Sequence, residues 1–468
     1  MSDKQKYSPG VKKYIKEAEK FLDQKKKALE RTKNFKFDTI AVHGLYTVEE
    51  ALNLNQGAVI EPLYLSTAQA YRDSDELEAA LAYLIPTWCY SRFANPTTYY
   101  LEWALALLEG YQTGCDTSCL VTASGMSALM LAVDCFLVKQ TNGPEKINFV
   151  SSIQIYGGTF QHFSVRKMQE RGIEVRWVHH PEDLEEWESK IDENTRFLFS
   201  EAPSNPQLSF CDVKALADLA HSWDIPFIID STCATPALMR PFAYGADIVI
   251  HSLTKSITSS GLAMGGALVS RKPIVTKIKN DHPLFKESFA EYVKFFPFRD
   301  TGPAASPTNA LFALNELRTL RSRMDLLSQN SEKVAGFLEQ HPRVYQVDYL
   351  GQKSFLYHPL AKKYMKLVDS DDGKGHEINR YGHLFSFRVD GPPQNARKVF
   401  DGFNLIMRAG DLGRIKSIAT IPAISTHLQQ GEEARANADV PPQMIRLCVG
   451  AEDPDDIIAD LDQSLNSL

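Results

Sequence analysis

From about residue 115 onward, short apolar runs alternate with segments whose apolar positions recur at helical spacing. "SCLVTA" (118–123) reads as a strand and "SGMSALMLAVDCFLV" (124–138) as the helix after it. "INFVSS" (147–152) is again strand-like and precedes the helical "YGGTFQHFSVRKMQERG" (156–172). "IEVRWV" (173–178), "RFLFSEAP" (196–203), "IPFIIDST" (225–232) and "DIVIHS" (247–252) continue the series, with charged helix formers such as "VKALADLAHSW" (213–223) between them. Strands alternating with helices predict a mostly parallel sheet covered on both faces. Such sheets bind ligands at the carboxyl ends of their strands. A long helical pattern fills 302–340, then "VYQVDYL" (344–350), "LFSFRV" (384–389) and "SIATIPA" (417–423) return to strand character. The fold class is therefore α/β, a large mostly parallel domain of the seven-stranded type followed by a smaller α+β domain. The expected division is an N-terminal helical arm over 1–65 that contacts a partner subunit, the α/β domain over 66–305 and the α+β domain over 306–468. The polar, glycine-containing "DSDDGKGHEIN" (369–379) reads as a surface loop.

Composition narrows the picture. The 468 residues allow more than one domain. With 44% hydrophobic and 23% charged residues and a net charge of −7, nothing in the balance favours nucleic acid or an acidic membrane surface. The charged start lacks the apolar core of a signal peptide, and no apolar run has the length of a membrane span. Seven cysteines (89, 115, 119, 135, 211, 233 and 448) form no C-x-x-C pair, which points to reduced thiols rather than a disulfide framework or a zinc site. The expectation is a soluble cytoplasmic protein without a metal, acting on a small molecule.

The strand ends carry the chemistry. Ser124, Gly125 and Met126 follow one strand at the start of a helix, where free backbone N–H groups and the helix dipole suit a phosphate. The same Ser-Gly pair also reads as a simple helix cap. Asp230 ends "IIDSTCATP", placed either to pair with a protonated ring nitrogen or to cap the next turn. Lys255 follows the next strand, with the hydroxyls of Ser252 and Thr254 beside it, and lysine is rarely buried unless paired or used chemically. A phosphate cradle, a strand-end aspartate and a strand-end lysine together describe a pyridoxal phosphate (PLP) site. Tyr156 stands at another strand end, where its ring could stack on the cofactor.

Seven segments now appear in order: "YSRFANPTTYYLEWALALLEG", "TASGMSAL", "YGGT", "EAPSNP", "DSTCATP", "HSLTK" and "IRLCVGAED". From about residue 37 to the C-terminus the chain resembles the Cys/Met-metabolism, or transsulfuration, PLP enzymes of fold type I. The resemblance implies that Lys255 forms the Schiff base with PLP and that Asp230 partners the ring nitrogen. It implies Gly125 and Met126 as phosphate-binding amides, and Ser252 and Thr254 as hydroxyls on the phosphate. Tyr156 would be the stacking tyrosine and an acid/base group, and Asn205 would lie near the ring hydroxyl. Tyr90 and Arg92 would reach the phosphate of a neighbouring subunit, making a homodimer the active unit and a homotetramer the assembly. Arg446 would fork onto the substrate α-carboxylate.

Within the family, "KSIATIPAISTHLQQ" and the long segment before "YSR" are closest to O-acetylhomoserine sulfhydrylases. The implied reaction is γ-substitution on an O-acylated homoserine, as in those enzymes or cystathionine γ-synthases. The alternatives are γ-elimination by a cystathionine or methionine γ-lyase-like carbon–sulfur lyase and, remotely, a non-catalytic cofactor-binding relative. Gly158 stands where methionine γ-lyases carry a cysteine, and Gly410 where cystathionine-processing lyases carry a glutamate. Ser256 replaces the usual aromatic after the lysine. The loop that commonly reads "SLGG" is here "DLGR", which puts Asp411 and Leu412 at the substrate and Arg414 in a glycine's place. A new carboxylate there leaves open an amine or carbon nucleophile in place of sulfide.

Overall fold

The computed structural model describes residues 7–138 and 146–468. Seven strands form the main sheet: β1 (Asp116–Thr122), β2 (Asn148–Ser152), β3 (Glu174–Val178), β4 (Thr195–Glu201), β5 (Phe227–Asp230), β6 (Ile248–His251) and β7 (Gly266–Lys272), in the order β1-β7-β6-β5-β4-β2-β3. Strands β2 to β6 pair in parallel, whereas β7 runs antiparallel to both β6 and β1. Both faces of the sheet are buried, and successive residues divide between them. Val121, Val150, Leu198, Ile229 and Val249 belong to one core. Leu120, Phe149, Phe197, Ile228 and Ile248 belong to the other. That period of two under two helical layers explains runs that are apolar throughout rather than alternating.

Strand β7 did not stand out in the sequence. Between β6 and β7 lie only 14 residues, holding the single short 3₁₀ turn Ser256–Thr258. The link holds no α-helix, the usual means of a parallel crossover, and the chain doubles back into an antiparallel strand.

Beyond residue 305 the long helical pattern resolves into two helices, Pro307–Leu317 and Leu320–Gln340. A second sheet follows, built from β8 (Val344–Asp348), β11 (Leu384–Val389), β12 (Met407–Arg408), β13 (Ile418–Thr420) and β14 (Met444–Cys448), in the order β12-β13-β14-β11-β8. The expected loop over 369–379 is corrected. It closes a hairpin of β9 (Lys366–Asp371) and β10 (Glu377–Asn379), with Asp371 opposite Glu377. Its first residue, Asp369, accepts from the Phe37 N–H (3.0 Å) and the Tyr111 hydroxyl (2.8 Å), tying the hairpin to the N-terminal region. The charged start forms the helix Pro9–Thr32, capped by Ser8, whose Oγ accepts from Val11 N. Among the described residues no helix is long and apolar enough to cross a membrane, and no group of side chains is arranged to hold a metal.

Phe149 lies fully buried between Phe163 (centroids 4.8 Å, edge-on) and Phe197 (4.6 Å, stacked). Phe149→Ala should cost about 3–5 kcal/mol by loss of transfer energy plus the cavity left behind. The check is the urea midpoint, which should fall while the far-UV spectrum is kept.

Candidate active site

The carboxyl ends of β4, β5 and β6 lie side by side, with Glu201 in register with Asp230 and Asp230 with Ile250. The reversal into β7 brings a fourth segment to them. Thr122 at the end of β1 pairs with Gly266, so Ser124 and the helix Gly125–Asp134 start beside Ser252. A Cβ on Gly125 would lie 2.8 Å from Ser252 Cβ, so only glycine fits there. Ser124 caps the helix, its Oγ accepting from Ser127 N (3.1 Å), while the Met126 side chain packs into the core behind. Thr232 Oγ1 accepts from Ser252 N (2.8 Å), and Asp230 Oδ1 accepts from Thr232 N (2.9 Å). The Thr254 hydroxyl bonds Gly265, accepting from its N–H (3.1 Å) and donating to its carbonyl (3.2 Å).

Four residues past β6, Lys255 sits in a turn with its Nζ 2.6 Å from Asp411 Oδ1. Arg414 holds the other oxygen, with Nε 2.6 Å from Oδ2. Asp411 therefore has both carboxylate oxygens engaged, and Oδ1 also accepts from Leu412 N (2.9 Å). Burial would raise its pKa, but the bond from Lys255 and its charge outweigh that, so Asp411 titrates below the usual carboxylate range. Arg446, on β14, is 1% exposed. It donates through Nη1 to Asn205 Oδ1 (2.9 Å) and through Nη2 to the Asp411 carbonyl (2.6 Å). Its Nε is buried without a partner, and among the described residues no carboxylate pairs with this guanidinium. The Tyr156 ring is 40% exposed at the same cleft.

Two neighbours escaped the sequence reading. Glu201, inside the quoted "EAPSNP", accepts from Tyr156 N (2.6 Å) and Asn205 N (2.9 Å). It thereby fixes two residues of the site with one side chain. Burial, followed by the Asp230 charge, holds its carboxyl well above the usual range. Its position at the end of β4, level with Asp230, is the signal that could have found it. His427, in "THLQQ", is fully buried, with Nδ1 3.0 Å from Thr426 Oγ1 and Nε2 unpartnered. Tyr90 and Arg92 stand apart from this cluster within the chain. Arg92 lies 5.5 Å over the Tyr90 ring and donates to the Arg299 carbonyl.

A helix N-terminus with only glycine at its point of closest approach, adjacent hydroxyls, a strand-end aspartate and a lysine in one cleft fit a phosphorylated pyridine aldehyde. The profile of the "Cys/Met metabolism PLP-dependent enzyme" family matches residues 38–466. The chain belongs to this family. It is a PLP-dependent enzyme of sulfur amino-acid metabolism of fold type I. Among its relatives is the O-acetyl-L-homoserine sulfhydrylase of Leptospira meyeri, 34% identical over 462 residues that cover 93% of this chain and 98% of that one. The L-methionine gamma-lyase of Porphyromonas gingivalis is 32% identical, covering 92% of this chain and 97% of the relative. A Campylobacter jejuni structure described as an O-acetylhomoserine (thiol)-lyase, solved with N′-pyridoxyl-lysine-5′-monophosphate, superposes with a TM-score of 0.80. It is 33% identical, covering 92% of this chain and all of that one.

His427 gives this family member a pH signature. Burial, then the Arg446 charge, lowers its pKa from 6.5 to about 4. The unfolded chain therefore takes up the proton first, so stability is complete above pH 6.5 and is lost as pH falls toward 4. His162 behaves in the same sense, also lowered to about 4 by burial. Wild-type protein should lose about 2 kcal/mol per such histidine between pH 7 and pH 5. His427→Gln should show a smaller drop in thermal midpoint over that interval.

Proposed function

We propose that the protein catalyses γ-substitution on an O-acylated homoserine. The observation that supports this reading best is Arg446, a buried guanidinium without a carboxylate partner among the described residues, one hydrogen bond from the loop whose Asp411 holds Lys255. Leaving a cation buried and unpaired is costly, and an amino-acid α-carboxylate would relieve it. The γ-ester comes from those relatives that are named as homoserine-ester sulfhydrylases.

Lys255 would bond the cofactor. The Gly125 and Met126 amides with Ser124, Ser252 and Thr254 would hold its phosphate, Asp230 its ring nitrogen, Tyr156 its face and Asn205 its ring hydroxyl. When bound, PLP supplies an electron sink for bonds broken at the substrate α- and β-carbons. Asp230 would keep that sink charged, Arg446 would orient the substrate by its carboxylate, and Lys255 would move protons at Cα and Cβ while the γ-ester leaves. Leu412 and Asp411 would wall the carboxylate site. Tyr90 and Arg92 would serve a neighbouring subunit, in a cytoplasmic homodimer paired into a homotetramer. Exposed apolar Val48, Leu52, Val59 and Leu65 in the N-terminal region support a covered surface there. The division into 1–65, 66–305 and 306–468 belongs to the same proposal.

The test is a panel of O-acetyl-, O-succinyl- and O-phosphohomoserine, cystathionine and methionine, each with and without sulfide. Product that needs both a homoserine ester and an acceptor is expected. Turnover of cystathionine or methionine alone would establish the lyase reading instead. Lys255→Ala should abolish turnover, and borohydride reduction should no longer add the pyridoxyl mass to the chain.

Arg446→Lys should lower kcat/KM for the ester about 10- to 100-fold, because a planar two-pronged donor becomes a point charge. Steady-state kinetics on cofactor-loaded variant protein measures it.

A further inference from the structure

The ion pair between Lys255 and Asp411 sits among few competitors. Asp411 Oδ1 is 2.6 Å from Lys255 Nζ, and the two side chains are 25% and 28% exposed. Arg414 ties this carboxylate to the turn that carries the lysine. Its Nε and Nη2 each lie 2.6 Å from Asp411 Oδ2, and its Nη1 donates to the Thr254 carbonyl (2.6 Å) and the Thr258 carbonyl (3.2 Å). One guanidinium thus spans the acid and both ends of the lysine turn. Between them Gly413, at φ +78°, lets the loop approach so closely that a Cβ would lie 2.8 Å from Lys255 Cα.

We propose that Asp411 is a catalytic partner of Lys255, holding its ammonium form during proton transfer, with Arg414 as the positioning residue. This rests on Lys255 being the cofactor-binding lysine. When Nζ takes a proton from a substrate carbon, the carbon's electron pair stays with the substrate and the amine becomes an ammonium. Asp411 itself gains and loses no proton. A carboxylate in contact favours that ammonium over the amine, so the lysine abstracts more readily and holds the proton for return. A surface ion pair would need neither the Arg414 clamp nor the bare position at Gly413.

The other charged groups facing the lysine turn arrange themselves around this pair. Arg323 donates to the Ser256 and Ile257 carbonyls (3.2 and 2.9 Å). His383 meets Ser256 Oγ (3.0 Å) and Cys448 Sγ (3.5 Å) behind it. Arg446, Tyr156, Glu201 and Asp230 line the cleft side. Asp411 is the one carboxylate that forms an ion pair with Lys255 among the described residues.

The test is a pH titration of the visible absorbance of substrate-free holoenzyme, which reports protonation at the lysine nitrogen bonded to the cofactor. Asp411→Asn should move the transition to lower pH by about one to three units, and Asp411→Glu should restore part of the shift. An unshifted transition in the Asn variant overturns the proposal. If that variant does not retain cofactor, apoprotein supplies the second measurement: the pH dependence of Lys255 acylation by acetic anhydride, read by peptide mass. A downward shift in Asp411→Asn supports the proposal and an unchanged profile overturns it. Borohydride reduction of wild-type holoenzyme separates the two levels of failure. No pyridoxyl mass on Lys255 sinks the cofactor assignment itself, whereas attachment with an unshifted titration sinks only the role of Asp411.

Discussion

The site depends on how closely two backbones approach where β1 ends and β7 begins. Gly125 stands where any Cβ would strike Ser252, and Gly266 stands where any Cβ would strike the Ser124 carbonyl. Those two bare positions let a helix N-terminus, with its unsatisfied N–H groups, press against the turn that follows β6. The approach exists because β7 returns antiparallel between β1 and β6, placing Gly266 opposite Thr122 and Ala267 opposite His251. A parallel seventh strand would carry the chain to the far edge and leave the Lys255 turn without the Gly125 helix N-terminus beside it.

Around that contact the strand ends collect charges that would be costly alone. Glu201 and Asp230 are adjacent carboxylates in a buried setting, and both have raised pKa values, burial being the largest cause. Glu201 is served by two backbone N–H groups, so it is well placed as a structural brace, leaving Asp230 at the mouth of the cleft. The two cations differ in the same way. Lys255 has a carboxylate in contact, whereas Arg446 has only neutral oxygens. A cleft that pairs its lysine internally but leaves its arginine without a carboxylate among the described residues suits an anionic ligand at the arginine, apart from any phosphate at the Gly125 helix.

Much of this was legible in the chain because it is encoded locally. Apolar runs of six to eight residues bounded by charged helix formers mark six of the seven main strands, and polar residues at or after their ends single out Asp230, Lys255 and Tyr156. Strand β7 was not legible, since its place and direction follow from pairing with β1, about 150 positions away, as well as with β6. The stretch 369–379 reads as a loop because its glycines and aspartates are turn residues; it belongs to a hairpin tied through Asp369 to Phe37 and Tyr111. Asp411 showed as a departure from the family pattern, but sequence could not say which groups it meets. Lys255 lies 156 positions away.

That separation bears on how chemistry can vary on this fold. Lys255 belongs to the large sheet's turn and Asp411 to the loop between β12 and β13, so the pair bridges the two sheets. Arg414 and Arg446 cross the same boundary, the first to Thr254 and Thr258, the second to Asn205. Each of these bonds sets the loop's position and the charges around Lys255 or Arg446 together. Changing a single residue of that loop therefore disturbs both the contact at Lys255 and the seat of Arg446, while the approach of Gly125 to Ser252 lies within the large sheet and is left as it was.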